Sequence, residues 1–130
     1  MRSTPSQKWG EEISLYKKKC QKILGMSPAI RYVGLINQYG RTLTGMIRPG
    51  TKILLRPDPA RNEFFLVSTV FNMRNKIDSA IGPLDYAVFR HEKVILLVFH
   101  SVEGIYYVSM NKSVTDDAMA KIVAKIKKVI

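Results

Sequence analysis

The sequence predicts the α/β (α+β) class: a single antiparallel five-stranded sheet with helices, in the order α-β-β-α-β-β-β-α. Three observations predict it. Apolar residues recur at helical spacing in three long stretches, five short runs are strand-like, and glycine, proline or polar turn residues separate them. Neither an internal repeat nor a linker interrupts the 130 residues, so the chain reads as a flexible N-terminal tail over 1–10 and one domain over 11–130.

The first helix is read in "EEISLYKKKCQKILG", where Ile13, Tyr16, Cys20, Ile23 and Leu24 form one stripe, Glu11 and Glu12 occupy the first turn, and Gly25 stops it. A hairpin follows in "IRYVGLINQYGRTLTGMI", with strands near 31–37 and 41–47 and Gly40 supplying a positive φ at the turn. Tyr32, Gly34 and Ile36 should face one side of the sheet and Val33 and Leu35 the other, while Gly34 and Gly45 leave room for close approach of a helix. "RPGTKILLRPDPARNE" contains too many prolines for a central strand. Its "TKILL" is either a continuation of the sheet or a packed loop.

Asp58 and Pro59 are suited to open the second helix, which Gly82-Pro83 closes. It carries two apolar stripes, Leu66, Val70, Met73, Ile77 and Ile81 on one and Phe64, Val67, Phe71 and Arg74 on the next. Together they go most of the way round the cylinder, more than one sheet can hide, which predicts a partner. "LDYAVFR", "KVILLVFH" and "IYYVSMN" then form a meander, and the unbroken apolar run Val94 to Phe99 predicts a strand covered on both faces. The last helix buries Met119, Ile122, Val123, Ile126, Val129 and Ile130, with Ser113 or Thr115 as cap.

The net charge is +11, and it is concentrated: residues 1–62 hold twelve Lys/Arg against three Asp/Glu. Such a field raises encounter rates with polyanions or acidic proteins. A candidate polyanion or acidic-partner surface comprises Lys17, Lys18 and Lys22 with Arg31, Arg41, Arg48, Lys52, Arg56 and Arg61. Nucleic acid is the alternative partner, with Tyr32 and Tyr39 available to stack, although no recognised reading motif is present. The single Cys20 lies on a core stripe and has no disulfide partner, no signal-peptide stretch opens the chain, and no apolar run approaches the length of a membrane span. A cytoplasmic protein without membrane insertion is expected.

Chemistry is poorly supported. His91 and His100 flank the middle strand of the meander, roughly 25–30 Å apart at the rise of an extended chain, too far to share a metal or a proton. Cys20 lacks a base, and no nucleophile elbow, phosphate-binding loop or dinucleotide fingerprint occurs. The expectation is no catalytic, cofactor-binding or metal-binding residue, and no enzyme activity.

The element order, with the hairpin "RYVGLINQYGRTLTG", the long helix beginning at about Asp58 and the meander "LDYAVFRHEKVILLVFHSVEGIYYV", resembles a roadblock/LC7-like domain of the longin and profilin-like superfamily. A PAS- or GAF-like sensor is a further relative, but the meander leaves little length for its ligand pocket. The roadblock resemblance implies homodimers in which the long helix and the adjacent strand pair between copies, pointing to Phe64, Val67, Phe71 and Arg74 with Tyr86, Val88 and Arg90. It also implies a scaffold or regulator of small Ras-like GTPases. The proline-containing insertion at 48–59 and the basic first half depart from the family pattern.

Overall fold

The computed structural model describes residues 4–77 and 80–130, with the side chain of Ile77 left out. Its order is α1 (Pro5–Leu24), β1 (Ile30–Ile36), β2 (Thr42–Ile47), α2 (Pro57–Ile77), β3 (Tyr86–Arg90), β4 (Val94–His100), β5 (Ile105–Asn111) and α3 (Asp116–Val129). The strands form one antiparallel sheet in the order β2-β1-β5-β4-β3. The expected fold class and element order are both observed.

Two cores share the sheet. On one face α1 and α3 pack Cys20, Ile23, Ile122, Val123 and Ile126 onto Val33, Leu35, Ile95, Leu97, Tyr106 and Val108. On the other, α2 lays Phe64, Val67 and Phe71 onto Ile36, Leu96, Val98, Ile105 and Tyr107. Ile95 to Phe99 are buried, so the middle strand of the meander is covered on both sides as its composition requires. Burial pushes the Cys20 thiol up to about 11, consistent with a packed hydrophobe rather than a nucleophile.

Three details differ from the expectation. Residues Pro5–Gly10 are helical rather than tail, because "TPSQ" forms a capping box: Thr4 Oγ1 accepts from the Gln7 amide, Gln7 Oε1 accepts from the Thr4 amide, and Pro5 occupies the first turn. Residues 1–3 of the expected tail lie outside the described residues. The helix read from Asp58 begins at Pro57, and its expected continuation to Gly82 passes through residues 78 and 79, also outside them. Gly34 and Gly45 do not admit a helix. They pair across β1 and β2, and the Tyr32 ring lies over both, so that a Cβ at either would sit 2.4 Å from its hydroxyl. Tyr32 in turn stacks on Phe64, and Phe64 meets Tyr107 edge-on at 5.0 Å. The close approach of helix to turn is made by Gly40 instead, at φ +83° against the backbone of Phe64 and Phe65.

Candidate interaction site on the second helix

Helix α2 is held on one flank. Asn72 Nδ2 donates to the Gln38 carbonyl at 2.8 Å, and the Gly40 turn abuts the backbone at Phe64 and Phe65. At 100° per residue, Phe64, Val67 and Phe71 then point into the sheet, while Leu66, Val70 and Met73, at i, i+4 and i+7, lie on the flank turned away from the β1–β2 hairpin. They are 60%, 41% and 61% exposed, whereas Phe65, 58% exposed, lies on the hairpin flank where its backbone meets Gly40. Because β1 and β2 lie at one side of the sheet, this uncovered stripe leans towards the other, where β3 is the edge strand, its outer rim unpaired by any strand among the described residues.

No protein-family model matches the sequence, and no curated protein matches it. Solved structures do. The gliding protein MglB of Thermus thermophilus superposes with a TM-score of 0.69 over 90% of this chain and 86% of its own, at 15% identity. An MglB described as having a tetrameric arrangement gives 0.66 over 97% and 87%, at 14% identity. A roadblock/LC7 domain from Streptomyces avermitilis gives 0.63 over 85% and 90%, at 15% identity. The fold is roadblock/LC7-like.

Within this roadblock/LC7-like fold the residues implied for the interface divide. Phe64, Val67 and Phe71 are 8%, 4% and 0% exposed, fully used by the chain's own sheet, so their assignment to an interface is corrected. The sequence shows two adjacent apolar stripes but not which one meets the sheet. That choice is made by the Gln38–Gly40 contacts, which rotate Leu66, Val70 and Met73 outward. Arg74 is exposed. Tyr86, Val88 and Arg90 are exposed too, but on the α1–α3 face of β3: Tyr86 stacks on Phe99, and Arg90 donates to Asp116 at 3.0 Å. Ala87 and Phe89 are the β3 side chains that share a face with α2.

The basic residues do not make one patch. Lys17, Lys18 and Lys22 are exposed on α1, whereas Lys52, Arg56 and Arg61 belong to the β2–α2 connection and the start of α2, across the sheet. Arg41 is exposed at the hairpin turn, and Arg61 pairs with Asp58. Arg48 is a clamp. Its Nε donates to the Ile30 carbonyl at 2.7 Å, and its Nη2 donates to the carbonyls of Leu24 and of Ser27, the latter at 2.8 Å. Arg31 braces the 48–56 segment by donating to the Lys52 carbonyl at 2.8 Å, and reaches Asn111 Oδ1 at 3.4 Å. Both guanidiniums are thus spent within the fold.

His91 and His100 are exposed at opposite ends of β4. Among the described residues no three His, Cys, Asp or Glu side chains gather as a metal would need, and no helix is long and apolar enough to cross a membrane. A polar cluster that sequence reasoning missed lies at the β4–β5 turn: Lys19 donates to Glu103, which also accepts from Ser101 Oγ at 3.0 Å and Tyr106 Oη at 3.3 Å. Burial alone would raise the Glu103 pKa, but the Lys19 ammonium and the two hydroxyls outweigh it and hold the carboxyl below its usual range. Lys19 and Glu103 are 84 residues apart, so no local pattern links them.

Proposed function

We propose that this chain is a homodimeric protein-interaction module that scaffolds or regulates a small Ras-like GTPase. The observation that carries it is the uncovered stripe of Leu66, Val70 and Met73, which leans towards the edge strand β3. Fully burying a side chain of this size is worth about 1.5–3 kcal/mol, so covering the exposed remainder contributes roughly 1 kcal/mol per residue. A second copy brings the same stripe and the same edge, and a two-fold axis lets each satisfy the other. The tetrameric arrangement described for one structural neighbour supports self-association, and the gliding proteins among the neighbours support the GTPase role by way of the resemblance.

The test is mass in solution. The wild-type chain should sediment as a dimer at micromolar concentration, and Leu66→Asp with Val70→Asp should yield a folded monomer, because neither side chain belongs to the core. A wild-type monomer at high concentration overturns the reading. For the GTPase step, small Ras-like GTPases loaded with GDP or a non-hydrolysable GTP analogue should bind the dimer with nucleotide preference and bind the monomeric variant at least tenfold more weakly.

Nucleic acid binding is the alternative. It rests on the exposed lysines, of which Lys22, Lys125 and Lys128 border a shallow groove between α1 and α3. The consumption of Arg31 and Arg48 inside the fold weighs against it, and a titration with duplex and single strand against salt decides it.

A further inference from the structure

Helix α2 covers only part of its face of the sheet. At the end where β1 and β4 begin there is a cavity of about 620 Å³, within the roughly 300–1,000 Å³ of small-molecule sites. Its floor is Tyr32, Val94, Leu96 and Tyr107, Phe64 and Ala60 wall it from α2, and Ile53, Leu54 and Leu55 of the 48–56 segment line its rim. Those three consecutive residues are 68%, 44% and 42% exposed, although the cavity they border is apolar. Arg31 fixes them in place through the Lys52 carbonyl.

The charged groups at the opening are Arg31, Lys52 and Lys93 against Glu63 and Glu92, with His91 beside them. Three cations against two carboxylates leave the mouth net positive. An apolar chamber with a cationic mouth fits one chemistry better than others. We propose that the cavity binds an amphiphile with a single apolar tail and an acidic head, the tail on Leu96 and Val94 beneath Ile53–Leu55 and the head between Lys52 and Lys93. This goes beyond the dimer reading and involves none of the exposed α2 stripe.

Calorimetric titration of the full chain with octanoate, decanoate and dodecanoate, each below its micelle concentration, tests the proposal. Affinity should tighten by roughly fourfold per added methylene while the chamber fills. Dodecyltrimethylammonium should bind at least fivefold more weakly than dodecanoate. Leu55→Glu and the double variant Lys52→Glu, Lys93→Glu alter exposed positions that the core does not use, and each should weaken dodecanoate about tenfold. Methyl resonances of Val94 and Leu96 should shift on binding, whereas Leu66→Asp should leave the affinity unchanged even where it abolishes the dimer. The proposal is overturned by affinity independent of chain length, or by shifts confined to Leu66 and Val70. Adsorption to anionic vesicles without uptake of free dodecanoate would equally overturn it, locating the interaction on the loop surface rather than in the chamber.

Discussion

At the residue scale, Glu103 ties the stability of the fold to pH. It sits largely buried under the α1–α3 face, tied to Lys19, Ser101 and Tyr106, and its carboxyl titrates below its ordinary value. A group that loses its proton more readily folded than unfolded stabilises the fold only while ionised. The stabilisation is therefore complete above the unfolded carboxylate's pKa of about 4.3, and it is lost as the pH falls through the lowered folded value. Glu103→Gln keeps the shape and removes the charge. Chemical denaturation at neutral pH should show it less stable by about 1–2 kcal/mol, given the worth of hydrogen bonds to a charged group. The gap should close in acid, where both chains carry a neutral group. A gap that is constant from pH 7 to pH 2 would mean that the charge contributes nothing.

At the scale of elements, one glycine decides how α2 sits. Gly40 and Gly50 have nearly the same φ, +83° and +82°, but a Cβ on Gly40 would stand 2.7 Å from the Phe65 backbone, while one on Gly50 would meet nothing within 4 Å. The two alanine variants thus separate backbone strain from close approach. Gly50→Ala should cost about 1–2 kcal/mol, the left-handed penalty alone. Gly40→Ala adds displacement of the helix and should cost roughly 3–5 kcal/mol, read from urea midpoints. The same contact explains how far the sequence could be read. The last helix and the meander were legible because their patterns are local and Thr115, Asp116 and Asp117 mark a helix start. The pairing of β1 with β5 brings together residues 69 to 80 apart in sequence. No short-range signal records it. That α2 has more apolar surface than its sheet hides was also legible, but both stripes carry large apolar side chains, and the tertiary contacts at Gln38 and Gly40 show which one meets the sheet. The capping box "TPSQ" was a readable signal that a tail reading passed over. The cavity was not readable, since its walls come from β1, β4, β5, α2 and the connection before α2.

For the whole molecule, the +11 charge and the uncovered stripe act in opposite directions on self-association. Two copies brought together along α2 repel through their net charge, and Arg61, Arg74 and Lys76 stand exposed on that helix itself. The apolar contact itself is short-ranged and indifferent to simple salt, whereas the repulsion is screened once the Debye length falls to about 10 Å near 0.1 M. The proposed homodimer should therefore tighten, by several-fold, as sodium chloride rises from about 0.03 to 0.3 M, and sedimentation equilibrium measures this directly. Binding to any polyanion must respond with the opposite sign, because released counterions make it weaken with salt. A single salt series thus separates an assembly held by Leu66, Val70 and Met73 from one held by ion pairs. If the dimer loosens across that range, the stripe is not what joins the copies, and the route from helix face to docking platform fails at its first step.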